Sequence, residues 1–196
     1  MEQSSDMDPL SRLFSSAARL KLLRLFMFND DAAFTTADAA FRAKLSKDAA
    51  RKEISVLTAA GVIKKKSGGK GVAYTASRKF PHYDALQQFL RTTTNLSDAD
   101  LVNTLKKAGS LRLVVLSGLF TGAIETKVDL LVVGDKLEDK PLEAAVRHLE
   151  AELGRELNFA SFSTEEFRYR LGVYDRLIRD VMDYPKRIIF DRIGMK

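Results

Sequence analysis

Lysines and arginines are concentrated in one segment of this sequence. The type and spacing of these side chains indicate what the protein binds. Between residues 42 and 79 there are 11 lysines and arginines against two acidic residues, Asp48 and Glu53, which gives this segment a formal charge of +9. The whole chain of 196 residues has a net charge of +6, so the remainder is slightly acidic. A concentrated block of positive charge indicates a polyanionic partner such as nucleic acid; the alternative explanation is a solvated surface.

Other kinds of chemistry are excluded or disfavoured by the composition. The chain has no cysteine, which excludes disulfides, thiolate zinc sites and cysteine nucleophiles. Its two histidines, His82 and His148, are far apart in the sequence, which argues against a histidine-rich metal centre. No apolar run approaches the ~18 residues of a membrane-spanning helix, and the N-terminal residues lack the pattern of a signal peptide. We therefore expect a soluble cytoplasmic protein of one large domain or two small ones, with no membrane partner.

Helical periodicity and capping residues predict the elements that carry the basic segment. Asp8-Pro9 is a helix-start signal. Residues 16–28 form a helix that is apolar on two opposite sides, so we expect its own domain to cover one side and a second domain or a twin chain to cover the other. Thr35 or Thr36 can cap a short helix that ends near Ala43.

A third helix is predicted between Ser46, an N-cap residue, and Gly61, which suits the left-handed position after a helix C-terminus. One side of this helix is apolar, although Glu53 falls within it without an evident partner. The other side is polar and mainly basic, and it comprises Lys47, Asp48, Arg51, Lys52, Ser55 and Thr58. Two strands are predicted next, over residues 62–66 and 72–75, joined by a glycine-rich tip.

The order of helix, short helix, polar-faced helix and basic hairpin is that of a winged helix-turn-helix domain. In such a domain the third helix enters the major groove of DNA. Residues 13–26, LFSSAARLKLLRLF, and residues 46–66, SKDAARKEISVLTAAGVIKKK, resemble the ArsR/MarR-like winged-helix transcription regulators. The resemblance covers about residues 10–90 and implies a domain that binds double-stranded DNA.

The resemblance also implies which residues contact DNA. They are Ser46, Lys47, Arg51, Lys52 and Ser55 on the third helix, and Lys64, Lys65, Lys66 and Lys70 on the hairpin. The hairpin lysines would attract phosphates of any sequence, whereas Arg51 is the best candidate for a bidentate contact with guanine. A helix predicted over residues 82–91 lies where such regulators often carry a dimerisation helix, so we expect a homodimer on a palindromic site. The polar stretch 92–95 is the expected boundary between domains 1–95 and 96–196.

The second half alternates strands and helices, so the whole chain is predicted to be an α+β protein. Strands are predicted over residues 111–116, 128–135, 155–162 and 186–190. Helices are predicted after Ser97, over residues 140–153 with a stop at Gly154, and from Ser163 to residue 185 with a bend at Gly172.

The order of strand, loop, strand with an aspartate, helix and strand resembles the minimal nucleotidyltransferase family, which has a polymerase-beta-like fold. In that family a Gly-Ser turn holds nucleotide phosphates, and three carboxylates hold two divalent cations. Here the turn is reversed, as Ser117-Gly118, Lys127 replaces the first carboxylate, and only Asp129 remains of the pair. Glu156 could supply the third carboxylate, but Leu157 and Asn158, which have no carboxylate, lie equally near that place.

We therefore expect no catalytic residues, no metal site and no required cofactor in the second half. Ser117, Gly118, Lys127 and Asp129 are predicted to form a vestigial nucleotide pocket, in which Lys127 attracts an anionic ligand. The alternative for Asp129 is a capping or pairing role near the end of its strand.

Taken together, the two halves predict a DNA-binding transcription regulator whose nucleotidyltransferase-like domain serves dimerisation or sensing. One alternative is an active, antitoxin-like nucleotidyltransferase that modifies a protein or a nucleic acid. Another is an adaptor whose winged helix binds protein rather than DNA.

Overall fold

A computed structural model of the chain describes residues 9–66, 71–94, 96–122 and 126–195. The structure is a mixed α+β protein, which confirms the predicted class. It divides into two compact units: residues 1–95 with 148–155, and residues 96–147 with 156–196. In the part of the chain that the structure describes, no helix is both long enough and apolar enough to cross a bilayer.

The first unit combines helices with a small antiparallel sheet. Its helices are α1 (Pro9–Leu13), α2 (Ala17–Phe28), α3 (Thr36–Arg42), α4 (Lys47–Ala59) and α5 (Tyr83–Thr93). Its strands are β1 (Phe34–Thr35), β2 (Ile63–Lys66) and β3 (Ala73–Ala76), in the spatial order β1-β3-β2. The predicted helices and both hairpin strands are present within a residue or two. The Asp8 of the predicted helix start lies outside the described residues. Strand β1 has no counterpart in the sequence prediction, because two residues are too few to show an alternating pattern.

Helix α2 is buried on all sides along its second half, as its two apolar sides predict. Every residue from 22 to 27 is at most 3% exposed, and this includes Arg24. Part of the cover is a segment from the second half of the sequence, residues 148–155, which belongs to this unit. Arg24 Nη1 donates to the carbonyl oxygen of Glu152 at 3.1 Å, and Asn29 Nδ2 donates to that of Gly154 at 2.7 Å.

The second unit contains a four-stranded mixed sheet. Its strands are β4 (Ser110–Leu116), β5 (Leu130–Asp135), β6 (Phe159–Phe162) and β7 (Arg187–Asp191), in the spatial order β6-β5-β4-β7. Strand β4 is antiparallel to both β5 and β7, whereas β5 and β6 are parallel. The helices that follow residue 96 are α6 (Asp98–Leu105), α7 (Asp139–Leu153), α8 (Thr164–Gly172) and α9 (Arg176–Asp183). The residues of β4 and β5 are mostly buried on both faces, which explains their continuous apolar sequences.

Two predicted boundaries in this unit are wrong. The single helix expected to bend at Gly172 is two helices, because Tyr174 adopts a left-handed φ of 55° and Asp175 starts a new helix. The Asp175 carboxylate accepts hydrogen bonds from the backbone N–H groups of Leu177 and Ile178 at 3.0 and 3.3 Å. Strand β6 begins at Phe159 rather than at residue 155.

Candidate nucleic-acid interface

Helix α4 has well-defined ends, and both were predicted from the sequence. At its start the Ser46 hydroxyl accepts a hydrogen bond from the N–H of Ala49 at 3.2 Å. At its end Gly61 has a φ of 75°, its N–H donates to the Thr58 carbonyl, and the next N–H donates to the Leu57 carbonyl, both at 3.0 Å. This is a Schellman motif, in which glycine avoids the steric cost of the left-handed conformation. The chain leaves α4 through this turn and enters β2 directly.

The buried charge on α4 is explained by a partner on α2. Glu53 is 6% exposed, and its Oε2 accepts a hydrogen bond from Arg19 Nε at 2.8 Å. Arg19 also donates through Nη1 to the Phe14 carbonyl at 3.0 Å, so the ion pair is anchored to the backbone before α2. This contact joins α4 to α2 and fixes which side of α4 faces the core.

The polar side of α4 is open to solvent. All five residues that the resemblance assigned to DNA contact are exposed, namely Ser46, Lys47, Arg51, Lys52 and Ser55. The opposite side packs on α2 and α3 through buried apolar side chains such as Ile54 and Leu57. The Arg51 side chain is 72% exposed and donates from Nη1 to Asp48 Oδ1 at 2.9 Å. Within the described residues, Lys47 and Lys52 form no ion pair.

The hairpin continues this exposed positive charge. Strand β2 lies at one edge of the sheet and pairs only with β3 among the described strands, with Lys64 opposite Thr75 and Lys66 opposite Ala73. Ile63 is buried, whereas Lys64, Lys65 and Lys66 are all exposed. Because consecutive strand residues face opposite sides, three exposed lysines in a row mean that both faces of this ribbon meet solvent. None of the three forms an ion pair in the described part of the chain, and the predicted Lys70 lies outside that part.

A hydrogen-bonded cluster at Asp30 fixes the base of the hairpin, and sequence analysis did not find it. Asp30 Oδ2 accepts from the Tyr83 hydroxyl at 2.8 Å and from Arg78 Nη2 at 2.9 Å. The Thr75 hydroxyl of β3 donates to the Ala32 carbonyl at 2.8 Å, so the strand is tied to the same turn. The hydrogen bond from Tyr83 holds the pKa of Asp30 below its usual range, while burial raises the pKa of Tyr83 to about 12. Because these partners are 43 to 53 residues apart in the sequence, no local pattern reveals them.

The second predicted site, in the second unit, is closely packed. Ser117 is fully buried and its hydroxyl donates to the Val128 carbonyl at 2.5 Å. Both oxygens of Asp129 accept backbone hydrogen bonds, from Leu119 N–H at 2.7 Å and from Asn158 N–H at 2.9 Å. A Cβ on Gly118 would lie 2.3 Å from Asp129 Oδ1, so the turn rests directly on the carboxylate.

This geometry favours a structural role for Asp129. The structure brings Ser117, Gly118 and Asp129 together. Lys127, two residues before Asp129 in the sequence, is exposed. The Asp129 carboxylate joins the turn after β4 to the segment before β6, because each of its oxygens satisfies one backbone donor. Glu156, the candidate third carboxylate, is exposed. Across the residues that the structure describes, no group of three or more histidine, aspartate or glutamate side chains is placed to hold a metal ion.

Comparison of the chain with models of protein families, with curated proteins and with solved structures finds no match. The charge and geometry of the chain itself are therefore the basis for assigning a function.

Proposed function

We propose that the first unit is a winged helix-turn-helix that binds double-stranded DNA, with α4 in the major groove and the β2–β3 hairpin along the phosphate backbone. The observation that carries this proposal is a set of exposed lysines on α4 and β2, two elements joined by a single turn. None of these lysines forms an ion pair within the described residues: Lys47, Lys52, Lys64, Lys65 and Lys66. The order of the elements and the sheet order β1-β3-β2 support it.

Unpaired lysines have a direct physical consequence for binding to DNA. Each ammonium group that neutralises a phosphate releases a condensed counterion, so the affinity falls as salt concentration rises, with a slope of about −0.9 per phosphate in a log–log plot. Lysines already paired with carboxylates would contribute less, because binding would first have to break the ion pair. A protein-binding adaptor surface would not show this dependence on phosphate number.

The test is a salt titration of the full-length chain with a fluorescently labelled duplex, followed by anisotropy. Replacing Lys64, Lys65 and Lys66 with alanine should weaken binding to every duplex by a similar factor. It should also lower the magnitude of the salt slope by about 2.7, the value for three phosphate contacts. Arg51→Ala should instead reduce the preference for the best sequence, because a bidentate guanine contact is worth about 1–3 kcal/mol of discrimination.

A matched control carries the same change of charge elsewhere. Lys107, Lys136 and Lys140 are exposed lysines of the second unit, and their triple alanine variant also loses three positive charges. This control should leave the salt slope nearly unchanged. An equal loss of slope in both triple variants would show that the overall charge, and not the α4–β2 surface, drives binding, and it would contradict the proposal.

We further propose that the protein is a cytoplasmic, homodimeric transcription regulator whose second unit is a nucleotidyltransferase-like domain without catalytic function. The order β4, turn, β5, α7, β6 supports the domain type. The burial of Asp129 and its two hydrogen bonds from backbone N–H groups support the loss of chemistry. Incubation with labelled ATP and Mg²⁺ tests this point, since transfer of label to protein or nucleic acid would make the second unit an active enzyme. Sedimentation with and without duplex tests the dimer.

A further inference from the structure

We infer that Asp48 is a specificity-determining residue that acts with Arg51 as one base-recognising pair; this inference rests on the proposed binding of DNA by α4. Asp48 lies in the first turn of α4, and its Oδ1 accepts the 2.9 Å hydrogen bond from Arg51 Nη1. Residues near the N-terminus of a recognition helix are the ones that contact base edges in the major groove. The pair is therefore placed at the end of α4 where sequence is recognised.

The ion pair itself contributes little to stability. The Asp48 side chain is 90% exposed and that of Arg51 is 72% exposed, and ion pairs in such positions contribute little to folding. On a surface that attracts phosphates, a carboxylate opposes binding to every sequence. Asp48 is the one acidic residue on the exposed side of α4 in the described structure, since Glu53 is buried against Arg19. The helix dipole favours a carboxylate in the first turn of α4, but it does not require the bond to Arg51. A contact that only certain bases provide gives that bond a role.

The geometry of the pair leaves suitable groups available on both side chains. A guanidinium group has five N–H donors in one plane, and the bond to Asp48 occupies only Nη1. The edge formed by Nε and Nη2 can donate two hydrogen bonds to O6 and N7 of guanine, while Asp48 holds the plane of the group in place. Asp48 Oδ2 accepts no hydrogen bond within the described residues, and it can accept one from the N4 amino group of a neighbouring cytosine. The pair would therefore favour a guanine next to a cytosine. At the cytosine position, the Asp48 carboxylate would repel bases that present only acceptors.

The test uses the full-length chain and a duplex selected from a randomised library by the wild-type protein. Competition anisotropy compares this duplex with random-sequence duplex and with single base-pair variants. Asp48→Asn should strengthen binding to random duplex a few-fold, because a negative charge is removed, and should lower the preference for the selected duplex about 10-fold, the size expected for one base contact. The loss should be confined to the position that Arg51→Ala also relaxes and to the adjoining position. The double variant should lose less selectivity than the sum of the two single losses, because residues in contact are not additive.

Asp84→Asn is the matched control, since Asp84 is an exposed aspartate in the first turn of another helix, α5, in the same unit. It should change the affinities for selected and random duplex by the same factor. If Asp48→Asn also changes the affinities for the selected and random duplexes by the same factor, Asp48 only repels phosphate. The inference would then be overturned, while the proposal of DNA binding would stand. A wild-type protein that binds duplex but shows no sequence preference would overturn it too. Failure of the proposed function is distinguishable, because the wild type would then show no salt-dependent binding to any duplex before Asp48 is changed.

Discussion

Removal of the Glu53 carboxylate should destabilise the first unit by an amount that the structure allows us to bracket. Breaking a fully buried ion pair by deleting one partner costs about 3–5 kcal/mol, because the other charge is left buried and unpaired. Here the Glu53 side chain is 7% exposed, but that of Arg19 is 27% exposed and keeps its hydrogen bond to the Phe14 carbonyl. The remaining charge is thus partly solvated, and we expect Glu53→Ala to cost about 2 kcal/mol, below the fully buried range.

Thermal unfolding of the full chain, followed by circular dichroism, measures this effect. For a unit of about 100 residues, 1 kcal/mol corresponds to a change in Tm of roughly 4–8 °C, so the transition of the first unit should fall by about 10 °C. Arg51→Ala breaks the exposed pair with Asp48 on the same helix and should change Tm by no more than about 4 °C. The double variant Arg19→Met with Glu53→Leu should recover most of the lost stability, because apolar side chains of similar volume can replace a buried ion pair.

The comparison of these variants decides whether the Arg19–Glu53 contact stabilises the packing of α4 on α2. If Glu53→Ala lowers Tm no more than Arg51→Ala does, the Arg19–Glu53 contact does not stabilise the packing of α4. If the double variant is as unstable as Glu53→Ala, the loss comes from the volume of the Glu53 side chain or from a change in the helix rather than from an unpaired Arg19.

Two further predictions concern the clusters that support the hairpin and the turn after β4. The pKa of Tyr83 is about 12 in the folded protein, mainly because the phenol is buried, and about 10 in an unfolded chain. The stability linked to the protonated hydroxyl is therefore complete below pH 10 and is lost as pH rises to 12. Tyr83→Phe should be less stable than wild type at pH 8 by about 1.5 kcal/mol, because the hydrogen bond to Asp30 is lost, and the difference should shrink towards pH 12 in urea unfolding. A difference independent of pH would contradict the raised pKa, and equal stability at pH 8 would contradict a stabilising hydrogen bond. Asp129→Ala should destabilise the second unit by about 2–4 kcal/mol in the same assay, because two backbone N–H groups lose their acceptor. Asp129→Asn retains one acceptor and should cost about half as much. Equal stability of the wild type and both variants would refute the structural role of this carboxylate.

The parts of the fold that the sequence predicts are those set by neighbours along the chain. The start of α4 at Ser46 and its end at Gly61 depend on contacts between residues within about five positions of each other, so their signals are local. The exposed side of α4 follows equally from helical periodicity, which separates Arg51 and Lys52 from Ile54 and Leu57. The candidate DNA-contacting residues of α4 and β2 are all exposed, and Lys70 lies outside the described residues.

The features that sequence analysis missed depend on residues far apart in the chain. Arg19 and Glu53 are separated by 34 residues, so the charge on the apolar side of α4 had no visible partner. The cover of α2 by residues 148–155 joins segments more than 120 residues apart, as the Arg24–Glu152 bond shows. The separation of α8 from α9 depends on Tyr174 adopting a left-handed φ, which is uncommon for a non-glycine residue and is not favoured by its sequence.

The use of acidic residues within the first unit explains how its positive charge becomes available to a partner. Glu53 is bound by Arg19, Asp30 is bound by Arg78 and Tyr83, and Asp38 accepts from Thr35 in the capping box of α3. These acids stabilise the unit internally and so do not neutralise the lysines of α4 and β2.

Protection of an exposed strand edge is a second explanation for part of this charge, since edge lysines discourage pairing with other chains. It accounts for Lys64, Lys65 and Lys66 on β2, which is an edge strand. It does not account for Lys47 and Lys52, because a helix has no unpaired edge to protect. Binding to the phosphates of a duplex explains the lysines of both elements by one cause, and the two explanations differ in a measurable way. Edge protection predicts that alanine at positions 64–66 promotes aggregation and leaves the salt slope of DNA binding unchanged, whereas phosphate contact predicts a shallower slope in a protein that stays monodisperse.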